Sequence, residues 1–186
     1  MQISLASHDG ATLERPVVRA LVQTGATETQ YHRAGRGDAV LLVLSTGIDT
    51  PFGRALFDEL TAHFRVVAPQ PPAGAPPLAV SRWLRELIDG LGLTRPVIVA
   101  DEAAGVAALG FWLQDAHRVR ALVAIRHDHP DPEVPSDAET VRDSELLVVR
   151  LDPAATTASN ARAAADAVHA FVHARAEVPT VPWRGA

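Results

Sequence analysis

The 186-residue sequence predicts an α/β fold: a doubly wound, mostly parallel sheet with helices on both faces. Three observations predict it. Short aliphatic runs, such as VLLVL at 40–44 and PVIVA at 96–100, are apolar at nearly every position, as strands covered on both faces must be. Stretches with helical spacing alternate with these runs, and that order calls for right-handed crossovers. The runs end in polar or turn-forming residues, which suits a ligand-bearing rim at the carboxyl ends of parallel strands.

The elements follow in order. Residues 16–22 and 27–33 carry weaker strand patterns that suit an antiparallel edge. The strand at 40–44 stops at Thr46-Gly47. A helix is predicted over 51–64: Phe52, Leu56 and Leu60 recur at i, i+4 and i+8, and Pro51 suits a first turn. RVVA at 65–68 is the next strand. PQPPAGAPP at 69–77 reads as a loop, because proline removes ladder and helix donors. Val80, Trp83, Leu84, Leu87, Ile88 and Leu91 mark the clearest helix, closed by Gly90 and Gly92. After the strand at 96–100, residues 103–115 form a helix of small residues. VRALVAI at 119–125 and LLVVRL at 146–151 are strands, separated in part by the Pro-rich loop 127–137. Asn160 is placed to cap a last helix with Ala161, Ala164, Ala165, Val168, Phe171 and Val172 on one face. Trp83 and Trp112 fall on core faces. No repeat or second domain is evident, so residues 1–186 are expected to form one domain, with 177–186 an irregular tail.

Composition excludes several chemistries. The chain has no cysteine, so thiol nucleophiles, disulfides and cysteine metal ligands are out. All 17 basic residues are arginine, which removes Schiff-base enzymes and P-loop nucleotide binding. A net charge of −5 with scattered arginines argues against nucleic acid. The aliphatic runs are too short to span a bilayer. The start, MQISLASHDG, lacks a basic and an apolar targeting region, so a cytoplasmic location is expected, without membrane association.

Five segments, in order and from about Thr27 onward, resemble the α/β-hydrolase family. YHRAGRG at 31–37 resembles that family's hairpin before its third strand, and VLLVLSTG at 40–47 its oxyanion strand and loop. LFDELTAHFRVVAPQPP at 56–72 and LRELIDGLGLTRPVIVADEAAGVAALGFW at 84–112 resemble its next two units, and HRVRALVAI at 117–125 the strand after the nucleophile helix. The resemblance places the nucleophile elbow, a strained strand-to-helix turn, at Ala100-Asp101-Glu102-Ala103-Ala104-Gly105. Glu102 stands where the family carries its nucleophilic serine, and no G-x-S-x-G occurs. Ala154 stands where the catalytic histidine is expected, before a final helix containing ADAVHAFV. The resemblance thus implies a shortened, lidless member without the Ser-His-Asp triad. Serine esterase or lipase chemistry is rejected, since glutamate has no hydroxyl for a base to deprotonate.

The candidate site follows from that placement. Glu102 is the candidate general acid/base; the alternative is a carboxylate that only caps its helix. The resemblance puts oxyanion-hole amides at Ile48, after Gly47, and at Ala103. His127 and Asp128 are auxiliary candidates, and Asp49, Asp101 and His129 stand on the rim. In extended chain His127 and His129 point the same way and could approach Glu102. The family's dehalogenases and epoxide hydrolases use Asp at the elbow, so a covalent carboxylate with His127 or His129 as base is a further option. His127, His129 and Asp128 or Asp131 lack a third firm metal ligand, so no metal and no cofactor is expected. His63, His117, His169 and His173 are given no role.

Two functions stand close together. One is a cofactor-free acid/base enzyme on a small organic molecule, of cyclase, isomerase, lyase or decarboxylase type in a biosynthetic pathway. The other is a non-catalytic relative that binds or assembles. A hydrolase with a carboxylate at the elbow is the third. The catalyst should hold Glu102 in a closed, partly apolar pocket. The scaffold should fill that cleft and use Glu102 as a cap. Loss of the lid would expose apolar surface and favour a homodimer.

Overall fold

A strand that is apolar at every position must be covered on both faces, and that requirement sets the architecture. The computed structural model describes residues 17–25, 27–127 and 146–176. Its strands are β1 (Val18–Thr24), β2 (Thr27–Ala34), β3 (Ala39–Val43), β4 (Arg65–Pro69), β5 (Val97–Ala100), β6 (Ala121–His127) and β7 (Leu146–Leu151). They form one sheet in the order β1-β2-β4-β3-β5-β6-β7. β1 and β2 make an antiparallel hairpin, with Val18 opposite Arg33, and β2 runs antiparallel to β4. The other neighbours, β4-β3-β5-β6-β7, are all parallel. This is the doubly wound, mostly parallel sheet with an antiparallel edge that the sequence predicts.

Helices α1 (Pro51–Thr61) and α4 (Thr157–Ala176) cover one face; α2 (Pro77–Gly90) and α3 (Glu102–Asp115) cover the other. Strand alternation divides the core between them. Val40, Leu42, Val97, Val99, Val123 and Ile125 pack with Leu56, Phe57 and Leu60 of α1 and with Ala161, Ala164, Ala165 and Val168 of α4. Leu41, Val43, Ile98 and Leu122 pack with Trp83, Leu84, Leu87 and Ile88 of α2 and with Ala104, Ala108 and Phe111 of α3. Each fully buried leucine or phenylalanine here contributes about 1.5–3 kcal/mol over its exposed form.

Several boundaries differ from the sequence prediction, each for a local reason. α1 stops at Thr61 rather than at 64, and past its end Gly35 approaches so closely that a Cβ there would sit 2.0 Å from the Phe64 carbonyl oxygen. Gly35 has φ +79°, which glycine adopts at little cost. The Pro-rich loop is shorter than 69–77: Pro69 ends β4 opposite Tyr31 and Pro77 opens α2. Both are terminal positions, where the missing N–H does little harm. β6 lies two residues later than 119–125, and β7 falls where predicted. Asn160 does not cap the last helix, which starts three residues earlier. Thr156 accepts the Ser159 N–H there, while the Asn160 amide bonds both ways to the backbone of Asp152. Trp83 is buried and donates its indole N–H to Thr29 Oγ1 at 2.9 Å. The tail 177–186 and most of the loop 127–137 lie outside the described residues.

Candidate functional site

All parallel strands of the sheet point their carboxyl ends at one rim. There the chain leaves β3 through Leu44-Ser45-Thr46-Gly47, a turn closed by the Gly47 N–H on the Leu44 carbonyl at 2.9 Å. Gly47 has φ +70°, and a Cβ there would sit 2.3 Å from Gln70 Oε1 at the end of β4. Glycine is therefore favoured by conformation, while the Gln70 amide is the movable end of a side chain. Gly47 and Ile48 are buried, whereas Ser45, Thr46 and Asp49 are exposed.

The turn from β5 into α3 is organised by Asp101. Its side chain caps the helix: Oδ1 accepts the Ala104 N–H at 2.8 Å. Oδ2 accepts both the backbone N–H and the hydroxyl of Ser45, each at 2.7 Å. One carboxylate thus ties the start of α3 to the loop after β3. Asp101 is a structural group here rather than a free rim carboxylate, and it takes the capping role that the alternative for Glu102 required. No non-glycine residue of the elbow has a positive φ; among the described residues only Arg95 does. The strained turn that the resemblance implies is replaced by an ordinary capped helix start.

Glu102 is the first residue of α3, and its side chain is 51% exposed. Its position favours a negative charge, because the helix N-terminus is the positive end of the dipole. Its cross-element partner among the described residues is Arg126 on β6, with Nη2 3.5 Å from Oε1. Arg126 is 44% exposed, so the pair is screened and weak. Parity explains the meeting: Leu122 of β6 faces the α3 side, and Arg126 stands four residues on along the same strand face. Sequence spacing had directed attention to His127 and missed Arg126; counting strand parity from Leu122 would have found it. The pairing of Ser45 with Asp101 was missed too, because 55 residues intervene between them and only the fold brings them together.

His127 ends β6, with its backbone opposite Leu151. Asp128 and His129 lie outside the described residues. Ala103 is exposed beside Glu102. Farther along the rim, His32 of β2 accepts a hydrogen bond from Arg19 Nε at 3.1 Å. Burial holds its pKa below the usual histidine value, and the charges of Arg19 and Arg54 lower it further against a raising effect of Asp49. Two surface depressions lie elsewhere. One, at the amino ends of the strands, is lined by Asp38, Thr94, Arg95 and Arg120; the other, by β1 and the end of α2, includes Leu21, Tyr31, Gly90 and Leu93. Neither includes Glu102. Among the described residues no cluster of His, Asp or Glu is arranged to hold a metal ion, and no helix is long and apolar enough to cross a membrane.

No protein-family model matches the chain. A curated relative, the 2-hydroxy-6-oxo-2,4-heptadienoate hydrolase of Pseudomonas putida, is 33% identical over 117 residues, which cover 55% of this chain and 42% of that protein. Among solved structures, the 2-hydroxy-6-oxo-6-phenylhexa-2,4-dienoate hydrolase of Rhodococcus sp. strain RHA1 superposes with a TM-score of 0.51 at 18% identity, covering 60% of this chain and 46% of that one. An epoxide hydrolase of Vigna radiata gives 0.51 at 18% identity, covering 69% and 47%. The chain therefore spans less than half the length of these relatives. Sheet order, rim and structural likeness agree: the chain has the α/β-hydrolase fold.

Proposed function

We propose that this chain is a binding member of the α/β-hydrolase fold, which holds a small organic acid at its rim without serine-hydrolase turnover. The carrying observation is the hydrogen bonding of Asp101. Its carboxylate accepts three donors at the turn where the chemistry of a hydrolase would stand, and it leaves that turn unstrained. Glu102, where a nucleophile is expected, is half exposed and paired with Arg126. The curated relative is named for a dienoate, so a carboxylate-bearing compound is the ligand class to try first. Arg126 is the cation that would orient it.

The acid/base reading retains one supporting observation. Glu102 and Arg126 stand together on the rim, a carboxylate beside a cation at the carboxyl ends of the strands. In that reading Glu102 moves the proton and Arg126 orients the substrate's carboxylate.

One experiment separates the two. 2-Hydroxy-6-oxo-dienoates are titrated calorimetrically, and product is followed by absorbance. Saturable binding without product, weakened at least tenfold in Arg126→Ala, supports the binding reading. Product formation that disappears in Glu102→Gln supports the acid/base reading. Absence of both binding and product overturns both.

A further inference from the structure

The outward flank of α3 is apolar and has no partner among the described residues. Val106, Leu109 and Leu113 are 63%, 38% and 70% exposed. They recur at i, i+3 and i+7, opposite the core-facing Ala104, Ala108 and Phe111. From Ala103 through Leu113 the helix carries no charged side chain. Leu78 adds a further exposed leucine in the first turn of α2, the helix packed beside α3. The other helices do not share this property. The exposed positions of α1 include Arg54, Asp58 and Glu59, and those of α2 include Arg82 and Asp89.

We propose that this flank is a homodimer interface, in which α3 packs antiparallel against α3 of a second copy. A two-fold contact must be complementary to itself. With the axis between residues 109 and 110, Val106 meets Leu113 of the second copy and Leu109 meets Gly110, a large side chain against a missing one. The same register sets the two helix dipoles antiparallel. The segment between β6 and β7 offers a poor cover. Residues 128–145, DHPDPEVPSDAETVRDSE, contain only Val134, Ala138 and Val141 as aliphatic side chains. The four exposed side chains present on the order of 400 Å² per copy, an association-sized patch. That is about half of the ~800 Å² per partner typical of a stable complex. The dimer is therefore reversible, and Ala103 and Gly110 permit the close approach that such a contact needs.

Sedimentation velocity over roughly 1–100 μM protein tests this. The wild-type chain shifts from monomer toward dimer as concentration rises. Val106→Glu and Leu113→Glu weaken association at least tenfold, with unchanged far-UV circular dichroism. Leu21→Glu, at an exposed leucine of β1, associates like the wild type. A wild-type chain that stays monomeric throughout overturns the proposal. So does undiminished association in folded Leu113→Glu, or in Leu113→Gln should the acidic variant not fold.

Discussion

The two faces of the sheet are built from the same kind of strand but finished differently. On the α1–α4 face the two helices pack on each other, their apolar side chains point inward, and the outer surface of α1 is charged. On the α2–α3 face the inner packing is equally dry, yet α3 stays apolar on its outside as well. A helix apolar all round belongs in an interior. The contrast teaches that, among the described residues, the first face is complete whereas the second has an apolar flank left over.

The sharpest way to break this contrast is to truncate one large side chain on each helix. Phe57 of α1 is fully buried, and Phe57→Ala should cost about 3–5 kcal/mol of unfolding free energy. Leu113→Ala on α3 should cost at most about 0.5 kcal/mol for the monomer, since its side chain is already in water. Urea unfolding at low protein concentration measures both. Equal losses would mean that the α3 flank is packed within the monomer.

A finer test compares the caps on the two faces. Thr50 caps α1 through one bond, accepting the Gly53 N–H at 3.0 Å. Asp101 caps α3 and also accepts twice from Ser45. Thr50→Ala should therefore cost about 1 kcal/mol and Asp101→Ala about 2 kcal/mol. A double-mutant cycle between Asp101→Ala and Ser45→Ala should show positive coupling of about 0.5–1 kcal/mol. Zero coupling would remove the tie between the β3 loop and α3 from the account of the site.

The fold was legible because it rests on burial. Runs such as VLLVL and PVIVA must be covered on both sides, and the periodicity of residues 80–91 admits one helical face. The site was legible only where a residue directly follows a strand, as Glu102 does. Which carboxylate caps, and which turns to solvent, depends on where the loop after β3 passes, and neighbouring residues carry no mark of it. Asp101 and Glu102 are adjacent acids with opposite fates for that reason. Arg126 was hidden by attention to the histidine beside it. His63, just past α1, and the histidines of α4 looked like scattered surface groups, because 105 residues lie between His63 and His169 in sequence.

Those histidines give the smallest expected effect and the one most specific to the finished face. His169 lies between His63, just past α1, and His173, one turn on along α4, with ring centroids 4.3 Å and 4.2 Å away. Phe64 meets His169 edge-on at 6.0 Å. Desolvation lowers the His169 pKa first, and then His63 and His173 lower it further, while Asp166 opposes them. The folded state thus binds fewer protons than the unfolded state in the window below about pH 6.5. Stability from this group is complete above that pH and declines as the pH falls through the window. His32, on the other side of the molecule, is shifted in the same direction and adds to the decline. Thermal unfolding of wild type, His169→Gln and His32→Gln between roughly pH 7.5 and pH 5 separates them. Each variant should lose less stability on acidification than the wild type. The His169 change should act through the α1–α4 seam and leave the concentration dependence assigned to α3 unaltered. An identical pH slope in wild type and His169→Gln would show that the imidazoles stack without electrical consequence.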